Sequence, residues 1–152
     1  MSTDRIEKKV VLRAPRARIW RALADVKEFG DWFGVKLEGQ MAAGAHVVGV
    51  ITVPGYAEGL KMEMWIERVE PERILSYRWH PNAVDPKHDY SKEPTTLVEF
   101  KLAEVAGGTE LVIVESGFDK IPAERRAEAF RMNEGGWEAQ MENIGRHVRQ
   151  AA

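Results

Sequence analysis

The C-terminal part of this chain carries an apolar stripe at helical spacing. The stripe runs through Ala127, Phe130, Glu134, Trp137, Met141, Ile144 and Val148. Steps of three and four residues keep these positions on one side of an α-helix. Such a helix must bury its stripe against another layer, and the residues before it read mostly as strands. The sequence therefore predicts one long helix, beginning near Pro122, that packs on a sheet.

The preceding residues alternate between apolar and polar types in a series of short runs. The first run, Ile6 to Leu12, is followed by two short helical patterns, one around Ile19 to Leu23 and one from about Val26 to Phe33. Further alternating runs extend from Val35 to Ile113, separated by turn sequences such as Pro54-Gly55. Strands joined by short turns, without helices between them, predict an antiparallel meander.

Composition restricts the class of protein. A chain of 152 residues forms one ordinary domain, which we expect to span residues 1–152. The net charge of −2 gives no field that would gather phosphates, so we expect no nucleic acid partner and no membrane partner. The chain has no cysteine, no apolar signal core and no apolar run near the ~20 residues of a membrane span. We therefore expect a cytoplasmic protein.

Several short motifs occur in a characteristic order along the chain. They are Ala14-Pro15 before Ile19-Trp20, Trp32-Phe33-Gly34, Glu70-Pro71-Glu72-Arg73, Gly107-Gly108-Thr109, Ser116-Gly117-Phe118 and Gly136-Trp137. Together they resemble the START-like (SRPBCC) superfamily and, within it, a bacterial family similar to the C-terminal domain of the heat-shock-protein-90 ATPase activator. The resemblance implies an α+β helix-grip fold. In this fold a curved antiparallel sheet of about seven strands wraps around a long C-terminal helix, with two short helices after the first strand.

The resemblance also implies an apolar cavity between the sheet and the C-terminal helix. The side chains that we predict to line it are aromatic residues, methionines and one valine from the sheet, the second helix and the last helix: Trp32, Phe33, Met62, Met64, Tyr77, Trp79, Val98, Phe100, Trp137 and Met141. Such residues suit an apolar ligand, although a packed core uses the same types. The leading hypothesis is a carrier or sensor of a small, largely apolar molecule, with no cofactor and no metal.

Two acidic residues stand at positions where apolar ones are expected. Glu115 follows Leu111 and Ile113 on their face of a strand, and Glu134 interrupts the helical stripe. A buried carboxyl group has a raised pKa and can act as a general acid or base. A cyclase- or hydrolase-like enzyme using Glu115 or Glu134 is therefore an alternative function. If the strand ends before Glu115 and the helix bends at Gly135-Gly136, both carboxylates instead lie in solvent.

The connection from Trp79 to Thr96 is long for a hairpin. Two interpretations are open: a loop that covers the mouth of the cavity, or a rigid solvated loop stiffened by its prolines. It contains His80, Asp85, His88 and Asp89, which are residue types that bind divalent metals, but their spacing matches no metal motif. A third functional hypothesis, implied by the family resemblance, is a module that contacts a chaperone. An apolar patch on the outer sheet face, around Trp65, would favour it.

Overall fold

The computed structural model describes residues 4–55 and 58–150, so the ends of the predicted 1–152 domain lie outside the described residues. Its elements follow the predicted order of one strand, two short helices, six strands and a long helix. They are β1 (Arg5–Leu12), α1 (Arg16–Ala24), α2 (Val26–Phe33), β2 (Val35–Glu38), β3 (His46–Ile51), β4 (Lys61–Glu70), β5 (Ile74–Trp79), β6 (Thr96–Val105), β7 (Gly108–Ser116) and α3 (Ala123–Gln150). A 3-10 turn, Phe118–Lys120, leads into α3. The α+β helix-grip prediction is confirmed.

The seven strands form one antiparallel sheet in the order β1-β7-β6-β5-β4-β3-β2. Consecutive strands lie side by side from β2 to β7, while β1 joins the sheet beside β7. The apolar residues of one sheet face, those of α1 and α2, and the buried side of α3 form a common hydrophobic core. The α3 helix therefore closes the sheet, as the C-terminal stripe predicts.

The second short helix has sequence-encoded ends. The Asp25 side chain accepts hydrogen bonds from the backbone N–H groups of Lys27 and Glu28, which satisfies donors that a helix start leaves free. At the other end Gly34 adopts a left-handed conformation with φ of 95°, which glycine reaches without steric cost. The helix therefore ends at Phe33, as predicted.

Among the described residues no helix is long and apolar enough to cross a membrane.

The long helix continues through Gly135 and Gly136, but its buried side differs from the predicted stripe. Trp137, Met141, Ile144 and Val148 are buried as expected, whereas Ala127 and Glu134 are exposed and Ala129 is buried. At 3.6 residues per turn, positions 133 and 134 lie about 50° to either side of the stripe's centre, so periodicity cannot choose between them. Asn133 takes the inward position because its amide bonds a buried carboxylate that would repel Glu134.

Candidate functional site

The register of the sheet places Glu115 in the interior. Tyr77 on β5 pairs with Val98 on β6, Val98 with Glu115 on β7, and Glu115 with Ile6 on β1. These four residues form a row across the sheet, and each is almost fully buried. Glu115 itself is 0% exposed. Leu111, Ile113 and Glu115 are alternate residues of β7, so their side chains lie on the same face of the strand. The Glu115 carboxylate therefore lies in the core.

Four neutral donors surround the Glu115 carboxylate. Its Oε2 atom accepts from Trp79 Nε1 at 2.7 Å and from Thr96 Oγ1 at 2.6 Å. Its Oε1 atom accepts from Trp137 Nε1 at 2.8 Å and from Asn133 Nδ2 at 2.9 Å. Within the described residues no ion pair involves Glu115. This arrangement, which we call the Glu115 cage, ties two strand residues and two α3 residues to one side chain.

The electrostatics of the cage combine two opposed effects. Burial raises the pKa of Glu115, because a charge is costly in a low-dielectric interior, and the four hydrogen bonds oppose part of that rise. Burial also raises the pKa of Tyr77 well above its ordinary value, with a further contribution from the Glu115 charge. The Tyr77 hydroxyl has no hydrogen-bond partner among the described residues. Among the described residues Glu115 is the only acidic or basic side chain that is buried.

A cavity of about 810 Å³ lies next to the cage. Its walls come from the end of α2, the β3–β4 region, the end of β5, the loop after β5 and the middle of α3. Trp79, Asn133 and Trp137 line it, while Glu115 does not. These three side chains therefore touch the cavity on one side and the carboxylate on the other. The volume lies within the ~300–1,000 Å³ typical of small-molecule sites.

The ten side chains predicted to line a cavity separate into two groups. Phe33, Met62, Trp79 and Trp137 line the observed cavity. The others are buried in the packed core: Trp32, Met64, Tyr77, Val98, Phe100 and Met141. Aromatic contacts connect the two groups, since the Phe100 ring lies 5.7 Å from that of Trp137 and 6.0 Å from that of Tyr77. The core residues therefore support the cavity wall, and contact of the four lining residues with a ligand stays a prediction.

Sequence reasoning did not identify the polar part of the cavity wall. Asn133, Gln140 and Asn143 project from α3, and Arg131 lies near them. Asn133 lies four residues before Trp137, and residues at this spacing lie on the same side of a helix. This spacing could have predicted Asn133 as a neighbour of Trp137. Glu134, the second acid that we predicted as a candidate, does not line the cavity and lies on the exposed side of α3. Glu115 and Glu134 are therefore not brought together.

The loop after β5 covers one side of the cavity. His80, Asn82, Val84, His88 and Tyr90 are among its lining residues. Two histidines and two aspartates of metal-binding type occur in this loop, His80, Asp85, His88 and Asp89, yet among residues 4–55 and 58–150 no three His, Asp or Glu side chains are grouped in a way that could hold a metal ion. The loop therefore contributes rings and amides to the wall.

A latch joins this loop to the first turn of α3. Arg125 Nε donates to Glu93 Oε1 at 2.7 Å, and Arg125 Nη1 donates to the carbonyl oxygen of Pro81 at 2.7 Å. His88 Nε2 lies 2.6 Å from Glu93 Oε2, and the Arg125 guanidinium lies 4.8 Å from the Tyr90 ring centroid. Burial raises the pKa of Glu93, but these hydrogen bonds and charges lower it overall. The latch therefore contributes stability above about pH 4.5 that is lost as Glu93 protonates.

The outer sheet face around Trp65 is partly covered. The His46 ring stacks on Trp65 at 5.1 Å between centroids, and the His80 ring meets its edge at 5.6 Å. His46 Nε2 also lies 2.8 Å from Glu63 Oε2. The large apolar side chains exposed among the described residues are scattered: Val11 lies on β1, Val50 on β3, Val53 after β3 and Met132 on α3. Trp65 itself is one of the residues that line the cavity.

Gly136 gives a test of the cavity's open space. It lines the cavity in mid-helix, and a Cβ atom there would meet no atom within 4 Å. We expect Gly136→Ala to raise the free energy of unfolding by about 1 kcal/mol, because alanine favours helix without a clash. Urea unfolding checks this, with Gly145→Ala as the contrast, since a Cβ at Gly145 lies 3.4 Å from Leu12 Cδ2. A loss of stability in Gly136→Ala would contradict the placement.

Solved structures of similar fold cover almost the whole chain. Protein MLL2253 from Mesorhizobium loti has a TM-score of 0.77 at 22% identity, over 97% of this chain and 98% of that one. Protein NE0264 from Nitrosomonas europaea has a TM-score of 0.75 at 17% identity, over 99% and 97%. DynU16, from the dynemicin biosynthetic locus, has a TM-score of 0.74 at 22% identity, and the match covers 97% of this chain but 48% of DynU16. These similarities establish the fold.

A comparison with curated protein sequences gives no significant match. Residues 13–149 match the family model described as Activator of Hsp90 ATPase homolog 1-like protein. This match covers most of the chain and confirms the resemblance that the ordered motifs indicate. The chain belongs to the Activator of Hsp90 ATPase homolog 1-like family.

Proposed function

We propose that this protein is a cytoplasmic carrier or sensor that binds a small, largely apolar molecule in the cavity beside the Glu115 cage. The observation that carries the proposal is the cavity of about 810 Å³ between α3 and the sheet. Its inner wall presents the indoles of Trp79 and Trp137 with Phe33 and Met62. Aromatic and thioether side chains bind apolar surfaces well and leave few polar groups unpaired.

Preorganisation of the wall supports the proposal. Trp79 and Trp137 each donate an N–H to Glu115, so their rings are fixed before any ligand arrives. The Phe33 ring packs against both indoles, at 6.1 Å and 6.0 Å between centroids. Rings held in this way lose little conformational entropy on binding, which favours affinity for a flat apolar body. The latched loop over the cavity supports enclosure of the bound molecule.

Thermal unfolding with 1-methoxynaphthalene, a flat apolar probe, tests the proposal. At a probe concentration of about ten times its Kd, binding to the native state contributes about 1.4 kcal/mol and raises the unfolding midpoint by about 3–6 °C. Gly136→Trp, which directs an indole into the cavity, should abolish the shift. Glu138→Trp places the same side chain at an exposed α3 position outside the cavity and should retain it. The proposal would be refuted if neither 1-methoxynaphthalene nor its hydroxyl analogue 1-naphthol shifted the unfolding midpoint of the wild-type protein. Equal shifts in the Gly136→Trp and Glu138→Trp variants would also refute it.

The family description favours a second candidate function, contact with a chaperone of the Hsp90 type. Stimulation of the ATPase activity of the Hsp90 from the same organism by the purified protein would support it. Unchanged ATPase activity in the presence of excess protein would argue against it. The use of Glu115 or Glu134 as an acid or base stays a prediction, and enclosure of Glu115 by its four donors does not favour it.

A further inference from the structure

The α3 wall of the cavity carries three amide side chains, and two of them are already occupied. Gln140 Nε2 donates to the carbonyl oxygen of Phe33 at 2.9 Å, and Gln140 Oε1 accepts from Asn143 Nδ2 at 3.0 Å. Asn143 Oδ1 in turn accepts from Arg146 Nη1 at 3.5 Å. Most of the hydrogen-bonding capacity of Gln140 and Asn143 is therefore used within the protein.

Asn133 differs from these two amides. Its Nδ2 donates to Glu115 Oε1, but within the described part of the chain no group donates to its Oδ1. That oxygen is also absent from the enclosed, unpartnered polar atoms of the described residues, so it has access to the cavity that Asn133 lines. Oδ1 is thus a free hydrogen-bond acceptor on the α3 wall, four residues before the apolar ring of Trp137.

The Glu115 cage fixes which end of the Asn133 amide faces the cavity. An ionised carboxylate only accepts hydrogen bonds, and Trp137 already donates to the same oxygen. If the Asn133 amide turned around, its Oδ1 would face Glu115 Oε1, and two acceptors would meet in a buried place. The amide therefore keeps Nδ2 towards Glu115 and Oδ1 towards the cavity. Glu115 acts here as a positioning residue.

We infer that the cavity selects apolar molecules that carry a hydrogen-bond donor, a hydroxyl or an N–H on a flat ring body, with Asn133 Oδ1 as the acceptor. This inference rests on the proposed function and adds the class of ligand. Asn133 and Trp137 donate to the same Glu115 oxygen, and Trp79 donates to the other, so the Asn133 amide lies close to both indoles. A ring seated against the indoles brings its substituent within reach of Oδ1.

Two naphthalenes that differ in one donor test the inference at about pH 8. The probes are 1-naphthol, which has an O–H, and 1-methoxynaphthalene, which has none. Titration calorimetry should give the wild-type protein a three- to tenfold preference for 1-naphthol, the usual value of one neutral hydrogen bond. In Asn133→Ala the preference should vanish through weaker binding of 1-naphthol alone. Met132→Ala, which removes an apolar lining side chain on the same helix, should keep the preference.

The outcomes separate the inference from the proposed function. Equal affinity of the wild-type protein for the two probes would overturn the donor preference and leave the proposed function standing. An equal loss of both affinities in Asn133→Ala would assign Asn133 a merely structural role and overturn the inference. Failure of both probes to bind the wild-type protein would overturn both. Asn133→Ala keeps three of the four cage hydrogen bonds, so we expect it to fold. A thermal unfolding curve of each variant checks that it is folded.

Discussion

Replacing Trp137 with alanine is expected to lower the free energy of unfolding by about 3–5 kcal/mol. Trp137 is 2% exposed, and its ring contacts those of Phe33, Trp79 and Phe100 at 6.0, 5.8 and 5.7 Å between centroids. The substitution removes the largest buried side chain of α3 and also takes one donor from Glu115. Urea unfolding followed by circular dichroism measures the effect. A loss below about 1 kcal/mol would mean that α3 does not grip the sheet through this residue.

Trp137→Phe separates packing from hydrogen bonding at the same position. Phenylalanine keeps an aromatic ring against Phe33 and Phe100 but has no N–H for Glu115 Oε1. We expect a loss of about 1–3 kcal/mol, the usual cost of leaving one buried partner unsatisfied. The difference between the two variants then reports the packing of the indole. Equal losses in both variants would assign the whole effect to the hydrogen bond.

The fold is predictable from this sequence because its signals agree with each other. Alternation from Val35 to Ile113, turn sequences between the runs and one C-terminal stripe all indicate a sheet closed by a helix. The Asp25 cap and Gly34 give α2 the ends that the sequence predicts. Each of these signals is local and follows from the geometry of its own element. Local geometry is what a single sequence records best.

The candidate site is predictable only in part, because its contacts join distant segments. The parity of β7 suffices to turn Glu115 inward. Whether Asn133 or Glu134 faces the interior depends instead on the Glu115 carboxylate, which β7 places beside α3. The sequence pattern of α3 alone gives no information about that neighbour. Thr96, the fourth member of the cage, starts β6 beside Trp79 and has no distinguishing local signal.

The cavity boundary shows a similar limit. Met62 and Met64 share a face of β4, and the sequence gives them the same prediction. The structure places Met62 at the cavity and Met64 in the core, because the sheet is covered by α2 and α3 to different extents along the strand. Parity selects the face of a strand, but the packing of other elements decides whether that face meets a side chain or open space.

The second large effect is expected from Glu115→Gln. Each carboxyl oxygen of Glu115 accepts one indole N–H, from Trp137 at Oε1 and from Trp79 at Oε2, and it keeps a lone pair for that bond whether the group is ionised or protonated. A glutamine amide must turn its NH₂ group towards one of these indoles, which can only donate, so one buried N–H loses its acceptor. We expect a loss of about 1–3 kcal/mol near pH 5, measured by urea unfolding. Glu134→Gln makes the same chemical change at an exposed position and should have little effect.

The pH dependence of this loss distinguishes the charge of Glu115 from its shape. Burial raises the pKa of Glu115 above the ordinary value of 4.5, so between these two pKa values the folded protein binds more protons than the unfolded chain. The stability of the wild-type protein therefore falls as pH rises through this window, by up to about 1.4 kcal/mol per pH unit. Glu115→Gln lacks this dependence, so the stability difference between the two proteins should narrow as pH rises above 4.5. The pKa values of Glu28 and Glu93 are lowered, so their contributions to stability change only below about pH 4.5, outside this window. A stability difference that stays constant with pH would show that the cage holds Glu115 ionised without the cost that its burial implies.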